Sequence, residues 1–190
     1  DPTYLDAARR LSLQVLVLGG GESRDLQVSD DADVIDMEQI DPDAVELPGW
    51  YRPNPGYARD LAFIAFSTVG NELLPKQITN YRWALSAFGT ASAAALGNSD
   101  TVYCLTPLHH QSGLLVALGG AVVGGARIAL SRGLRPDRFV QEVRQYGVTV
   151  VSYTWAMLDG VIDDPGFVLG GHHPVRLFIG SGMPTGQIGR

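Results

Sequence analysis

Short apolar runs alternate with longer amphipathic stretches along most of the chain. The runs have the length and the branched or aromatic content of buried strands, and they cover 13–18, 61–66, 101–105, 127–130, 148–152 and 175–179. Stretches with helical spacing lie around them, at 3–11, 81–96, 114–123, from Pro136 onward and at 155–162. Because the strand runs show no polar face, the pattern predicts an α/β fold with a mostly parallel sheet flanked by helices.

Three polar loops leave the ends of predicted strands, at 67–76, 107–113 and 180–186. In open parallel sheets ligands bind outside the carboxyl ends of the strands, so we expect these loops to form a shared site. The first loop contains a lysine and precedes Thr79-Asn80, which is typical of a helix N-cap. A strand, a small-residue loop, a lysine and a helix in this order are one way to present backbone N–H groups to a phosphate.

Composition narrows the classes of function. A net charge of −6 argues against a nucleic-acid partner or an anionic membrane surface. The single cysteine, Cys104, excludes an intrachain disulfide and a multi-cysteine zinc site, which favours a reducing compartment. No apolar run is long enough for a transmembrane segment. The expected location is the cytoplasm, and peripheral membrane association of a parent protein stays open.

Composition also divides the chain near residue 56. Residues 1–56 form a leading helix–strand unit followed by an acidic and proline-rich connector, and residues 57–190 form the larger part. The triplet Gly19-Gly20-Gly21 follows a strand but lacks the GxGxxG order, so a simple turn is favoured over a nucleotide loop. The chain opens on Asp-Pro without Met and stops soon after Gly186. We therefore expect a piece of a longer protein.

In order and spacing, the three loops resemble the adenylate-forming (AMP-binding) superfamily, and within it the fatty acyl-CoA synthetases. The family's phosphate loop, roughly Thr-Ser-Gly-Thr-Thr-Gly-x-Pro-Lys-Gly, corresponds to residues 66–80. Its Pro-Leu-x-His-x-x-Gly loop is similar to Pro107-Leu108-His109-His110-Gln111-Ser112-Gly113. Its Gly-Gly-Ala-Pro-Leu adenine loop is similar to Ser181-Gly182-Met183-Pro184-Thr185. The resemblance covers residues 60–186 and implies part of the N-terminal domain of an acyl-CoA synthetase-like protein, with 57–190 a partial AMP-binding subdomain.

The resemblance also implies a reaction and roles for individual residues. A carboxylate and ATP would give an acyl-adenylate, from which the acyl group passes to CoA, so fatty acid, ATP, Mg2+ and CoA are the implied substrates and cofactors. The implied phosphate-binding residues are Ser67, Thr68, Gly70 and Lys76; the acyl-pocket residues are His110 and Gly113; the adenine-binding residues are Ser181, Gly182, Met183, Pro184 and Thr185. The family's downstream acidic motif, ribose-binding aspartate and catalytic lysine have no counterpart here. The resemblance therefore implies no catalytic residue in this piece, which we expect to be inactive by itself.

The first loop departs from the family pattern. Anchored on Pro75-Lys76, it carries bulky or charged residues where the family has small ones, namely Val69, Asn71, Glu72 and Leu73. Anchored on Thr79-Asn80, it has Leu74 at the family's lysine position and Lys76 is displaced. Either register loses the terminal glycine, and Leu and Glu side chains would crowd or repel a polyphosphate. A degenerate, non-catalytic acyl- or nucleotide-binding module of a larger lipid-metabolism protein is therefore the alternative.

Two further interpretations are weaker. His109 and His110, with His172 and His173, suggest a metal site, but adjacent histidines rarely reach one ion and no carboxylate is placed beside them, so we expect no metal site. Gly180-Ser181-Gly182 is one residue short of the Gly-x-Ser-x-Gly elbow of serine hydrolases. A strand-end serine keeps that third class open.

Overall fold

The structure, a computed structural model, describes residues 15–18, 33–36, 39–53, 56–70, 72–130, 135–164, 167 and 173–187. The predicted helix at 3–11, the glycine triplet and His172 lie outside the described residues. The chain forms two compact units: one comprises Asp1–Gly56 and Thr68–Pro75, the other Tyr57–Ser67 and Lys76–Arg190. The first boundary falls where the sequence divides, and Thr68–Pro75 is grouped with the leading unit.

The first unit contains two short parallel strands, β1 (Val15–Leu18) and β2 (Asp33–Asp36). They pair in register from Val15 opposite Asp33 to Leu18 opposite Asp36. A 3-10 turn, Pro42–Ala44, follows in the acidic connector, and the Asp41 carboxylate caps it by accepting a hydrogen bond from the Asp43 N–H at 3.0 Å.

A hairpin replaces the predicted first loop. Strands β3 (Leu61–Val69) and β4 (Glu72–Thr79) form a two-stranded sheet joined by only two residues, a connection that antiparallel strands alone permit. Gly70 has φ of +63°, as tight hairpin turns require. The prediction of an open loop between Ser67 and Lys76 was wrong. Apolar residues on both sides of the turn favour strands, and Pro75 is tolerated because a two-stranded sheet leaves each strand an edge.

The second unit is built on a parallel sheet of four strands. They are β5 (Thr101–Cys104), β6 (Arg127–Leu130), β7 (Val150–Thr154) and β8 (Leu177–Ser181), in the spatial order β6-β5-β7-β8. All of β5 and most of β7 are buried, which explains why the sequence shows no polar face in these strands. The predicted parallel sheet is confirmed.

Strands β7 and β8 begin two residues later than the apolar runs indicate. Val148 and Val175 are buried in the core but precede the ladder. Thr149 and Arg176 come directly after them and make side-chain hydrogen bonds to Asp100. The apolar pattern therefore predicted correctly that these segments are buried, but it did not predict where their strand pairing starts.

Helices cover both faces of this sheet, as predicted. The helix α1 (Asn80–Ala93) is capped by the Thr79 hydroxyl, which accepts a hydrogen bond from the Arg82 N–H at 3.2 Å. The helix α2 is π-helical over Ser112–Leu118 and α-helical over Gly119–Gly124. On the other face lie α3 (Pro136–Gln145) and α4 (Trp155–Ile162). No helix among the described residues is long and apolar enough to cross a membrane.

The two faces carry separate cores. On the α2 face, Val102, Cys104 and Val150 of the sheet pack with Ala117 and Ala121 of the helix. Small residues let the helices approach: a Cβ at Gly119 would lie 2.9 Å from the Ala87 Cβ, and a Cβ at Gly120 would lie 2.7 Å from the Thr90 Cγ2. The opposite core is larger and more aromatic; its members include Tyr103, Phe139, Val143, Val151 and Leu158.

Candidate functional site

A cavity of about 650 Å³ lies between helices α1 and α2 and strands β7 and β8. All of its lining residues belong to the second unit. Much of the lining is apolar, with Leu85 on α1, Val116 on α2 and Ile179 on β8 as bulky members. Ligand cavities of this size and character are typical of sites for small apolar molecules.

Five serine and threonine residues interrupt the apolar lining. They are Ser86, Thr90, Ser112, Ser152 and Ser181. The Thr90 hydroxyl donates to the Ser86 carbonyl oxygen at 3.0 Å, so it is already satisfied within α1. Ser181 is the last residue of β8 and Ser112 the first of α2. The cavity thus reaches the carboxyl end of the sheet, where parallel sheets bind ligands.

The turn before α2 holds His110 in a defined orientation. The His110 N–H donates to the Pro107 carbonyl oxygen at 2.9 Å, and the Leu114 N–H donates to the His110 carbonyl oxygen at 3.0 Å. The Ser112 N–H donates to the His110 Nδ1 at 3.1 Å. Because Nδ1 accepts, a neutral imidazole carries its proton on Nε2 and presents an N–H donor. His110 does not line the cavity itself; it is bonded to Ser112, which does.

Gly113, the other predicted acyl-pocket residue, is buried at the start of α2. A Cβ at this position would lie 2.3 Å from the Pro107 carbonyl oxygen and 2.8 Å from that of Thr106. No side chain fits there, so glycine is required for the helix to begin against the turn that carries His110. Gly113 allows the backbone of α2 to approach the backbone of the preceding turn closely. Its assignment to the acyl pocket stays a prediction.

A polar contact between α1 and this turn was not anticipated. Arg82 Nη2 donates to the Gln111 Oε1 at 3.3 Å. It joins the first turn of α1 to the residue before Ser112. The sequence offered little signal, since 29 residues separate the two side chains.

The predicted phosphate-binding residues are divided between strands and turn. Ser67 and Lys76 are exposed residues of β3 and β4 in the second unit; Thr68 and Gly70 belong to the first unit. Successive N–H groups of a strand point in alternate directions, so they do not converge on an anion as in a phosphate-binding turn. An exposed lysine suits a phosphate as a point charge, but this hairpin does not fit the cradle that Mg-ATP requires.

The predicted adenine-binding residues continue from β8. Gly180 lies against β7, where a Cβ would come within 2.3 Å of the Tyr153 carbonyl oxygen. Gly182 adopts a left-handed φ of +84°, and the exposed chain from Met183 leads to a 3-10 helix, Thr185–Gln187. Of the five predicted adenine-binding residues, 181–185, only Ser181 also lines the cavity. The fold therefore places Ser181 on the same cavity as Ser112, whose N–H is bonded to His110.

The single cysteine, Cys104, is buried in the core between the sheet and α2. Burial raises the pKa of the Cys104 thiol to about 11, and its Sγ–H donates to the Thr106 carbonyl oxygen at 2.9 Å. Cys104 is thus a neutral packing residue. Within the described ranges, no group of three or more His, Cys, Asp or Glu side chains is placed to hold a metal ion.

A model of the AMP-binding enzyme family matches residues 13–187. The chain belongs to this family. The match extends over most of the chain and includes all three loops of the resemblance noted in the sequence. It confirms the predicted family.

Curated AMP-binding relatives extend well beyond the length of this chain. The medium/long-chain-fatty-acid–CoA ligase FadD6 of Mycobacterium tuberculosis is 31% identical over 160 residues, covering 80% of this chain and 26% of that protein. The steroid-22-oyl-CoA synthetase of Rhodococcus jostii is 29% identical, covering 84% and 28%. Long-chain fatty acid transport protein 2 of Rattus norvegicus is 28% identical, covering 80% and 24%. The chain spans about a quarter of the length of these relatives.

Solved structures of CoA synthetases and ligases share the fold. The o-succinylbenzoate CoA synthetase of Bacillus subtilis, in complex with its acyl-adenylate intermediate, superposes with a TM-score of 0.73 at 16% identity, covering 96% of this chain and 47% of that one. A protein described as a putative long-chain-fatty-acid CoA ligase from Rhodopseudomonas palustris gives 0.70 at 18% identity, covering 96% and 48%. At such identities the likeness shows the α/β fold.

Proposed function

We propose that this chain forms the acyl-binding part of the N-terminal domain of a fatty acyl-CoA ligase. The observation that carries the proposal is the largely apolar cavity between α1, α2 and β8, which ends at Ser112 and Ser181 beside the His110 turn. The family and the fatty-acid–CoA ligase named above support it. The parent protein would join a carboxylate to CoA through an acyl-adenylate formed with ATP.

In this proposal the hydrocarbon part of the acid lies against the apolar walls. Leu85, Val116 and Ile179 supply apolar surface, and each Å² of apolar area removed from water contributes about 25 cal/mol. The carboxylate lies toward the carboxyl end of β8, where the Ser112 and Ser181 hydroxyls are donors and the His110 side chain holds the Ser112 backbone. These groups bind and orient the acid.

This chain offers fewer groups for binding the nucleotide than for binding the acyl group. The exposed segment from Gly182 to Thr185 suits the border of an adenine ring, as the resemblance implies. The hairpin does not supply the converging amides that a triphosphate with Mg2+ requires. We therefore assign no step of adenylation to residues of this chain, and we expect the chain by itself to be inactive as a ligase.

The hairpin also favours a second candidate, a non-catalytic acyl-binding module of a larger lipid-metabolism protein. Both candidates use the same cavity for the acyl group and differ in the binding of Mg-ATP. Lys76 is the residue to test, because one of the two registers of the family pattern places it at the phosphates.

The test is calorimetric titration of the chain with hexadecanoic acid, with a non-hydrolysable acyl-adenylate mimic and with Mg-ATP. A cavity-filling variant, Gly89→Leu, is available because Gly89 lines the cavity and a Cβ there meets nothing within 4 Å. Gly160→Leu on α4 is the matched control, a helical glycine with equal space that does not line the cavity. We expect Gly89→Leu to weaken acid binding about tenfold or more, equivalent to about 1.4 kcal/mol, and Gly160→Leu to leave it unchanged.

Three outcomes separate the candidates. Acid binding blocked by Gly89→Leu, together with Mg-ATP binding weakened by Lys76→Ala, supports the ligase. The same acid binding without any Mg-ATP binding, both in this chain and in the full parent protein, supports the non-catalytic module. Binding of acid that Gly89→Leu does not reduce, or no binding of acid at all, overturns the assignment of the cavity.

A further inference from the structure

Ser152 occupies the floor of the cavity. It lies in the middle of β7, paired with Cys104 on β5 and with Ile179 on β8. Alternate residues of a strand share a face, so Ser152 faces α2 together with Val150, whose side chain packs with Ala117 and Ala121 of that helix. Only 1% of Ser152 is exposed, and it lines the cavity.

Several polar groups near this hydroxyl are already bonded. The Ser152 carbonyl oxygen accepts a hydrogen bond from the Leu105 N–H at 3.1 Å, and the neighbouring Cys104 thiol is engaged with Thr106. On the α1 wall the Thr90 hydroxyl is bonded within its own helix. No hydrogen bond of the Ser152 hydroxyl to another described residue is found, and this hydroxyl is not one of the polar atoms sealed in the core without a partner, so it is open to the cavity. A plain hydrocarbon chain that filled the cavity would leave this hydroxyl unpaired, which costs about 1–3 kcal/mol, and a polar group on the ligand would offset that cost.

The position of Ser152 along the cavity sets where that polar group must lie. Ser152 pairs with Ile179, two residues before Ser181 at the end of β8. Strands rise about 3.3 Å per residue, so Ser152 lies about 6–7 Å below the level of Ser181. An acid whose carboxylate lies at Ser181 would pass Ser152 partway along its chain.

We infer that Ser152 is a specificity-determining residue that hydrogen-bonds an oxygen substituent, a hydroxyl or a carbonyl, borne partway along an otherwise apolar acid. The inference rests on the proposed acyl cavity and names its substrate class: oxygenated acids in preference to plain saturated ones. Sites that hydrogen-bond a substrate group discriminate strongly against analogues that lack it, because the partner in the protein is then left unpaired.

The experiment compares hexadecanoic acid with a series of hydroxyhexadecanoic acids that carry the hydroxyl on successive carbons. Affinities are measured by calorimetry on the chain, on Ser152→Ala and on the control Ser92→Ala, an exposed serine of α1 that does not line the cavity. We expect one positional isomer to bind about tenfold more tightly than the plain acid, the effect of one added hydrogen bond of about 1.4 kcal/mol. Ser152→Ala should abolish this preference and leave the affinity for the plain acid unchanged or raised, whereas Ser92→Ala should retain the preference.

A stability measurement separates ligand recognition from a structural role. Removing a hydroxyl that bonds no other residue of the chain is neutral or stabilising, so the Tm of Ser152→Ala should equal or exceed that of the parent chain. A lowered Tm with unchanged selectivity would overturn the inference in favour of a structural hydroxyl. Equal affinity for all the acids would overturn it while leaving the acyl cavity intact. No binding of any acid would overturn the proposed function, and this inference with it.

Discussion

Arg176 holds Asp100 in a two-pronged ion pair, with Nε donating to Oδ1 and Nη2 to Oδ2, each at 2.9 Å. The carboxylate also accepts hydrogen bonds from the Thr149 hydroxyl at 2.7 Å and from the Gly97 N–H at 3.0 Å. Arg176 Nη2 in turn donates to the Ala94 carbonyl oxygen at 2.8 Å. The cluster joins the amino ends of β5, β7 and β8 to the end of α1. It stabilises the cavity walls at the amino end of the sheet, whereas the candidate site lies at the carboxyl end.

Replacing the arginine should destabilise the second unit. In Arg176→Met the buried Asp100 loses two charge-assisted donors, and an unsatisfied buried acceptor costs about 1–3 kcal/mol. Arg135→Met is the control, since Arg135 and Asp137 are both more than half exposed and such pairs contribute about 0–1 kcal/mol. Urea denaturation measures both. An Arg176→Met midpoint no lower than that of Arg135→Met would contradict a structural role for the pair.

The same pair predicts a loss of stability in acid. Hydrogen bonds from Arg176 hold the pKa of Asp100 well below its usual range, and the Thr149 hydroxyl and Gly97 N–H act in the same direction. The unfolded carboxyl has a pKa of about 3.9, so below this pH the unfolded chain binds the proton first. The contribution is therefore fully present above about pH 5 and is lost as the pH falls through 4 toward the folded pKa. Denaturation at a series of pH values should show a smaller decline for Arg176→Met; an equal decline would mean that other carboxyls account for it.

Gly113→Ala should displace the turn that carries His110. The added Cβ would meet the Pro107 carbonyl oxygen at 2.3 Å, and overpacking of this kind costs about 1–3 kcal/mol. Gly160→Ala is the matched control, because a Cβ there meets nothing within 4 Å and alanine stabilises a helix interior by about 0.4–1 kcal/mol. Thermal unfolding should shift in opposite directions for the two variants. If Gly113→Ala unfolds at the temperature of the parent chain, the close approach to Pro107 is not required.

Cys104 should be unreactive in the folded chain. It is 3% exposed, and burial raises the pKa of its thiol to about 11, so the reactive thiolate is scarce at neutral pH. Iodoacetamide at pH 8 should label the single cysteine only when denaturant unfolds the second unit. Rapid labelling without denaturant would show that the core between β5 and α2 opens locally.

The hairpin illustrates where sequence interpretation failed and which signal it missed. Gly70-Asn71 between two runs with apolar residues is a recognised hairpin dipeptide, but comparison with a glycine-rich phosphate loop drew attention to the hydroxyls and the lysine instead. Local β propensity on both sides of the turn decided the outcome. The loops after β5 and β8 were found, because polar and glycine residues that directly follow a buried parallel strand mark its end in the sequence.

The sequence by itself determined the α/β class, the buried parallel strands and the family, since apolar periodicity and loop motifs are local properties of the chain. Only the tertiary structure decided the cavity, whose walls come from α1, α2, β7 and β8. Ser152 appears in the sequence as one small residue in a buried strand, and Arg176 as one charged residue within an apolar run. Their partners lie on other elements of the fold, Arg176 being 76 residues from Asp100. Strand order and helix approach bring such residues together, and neither can be read from local pattern.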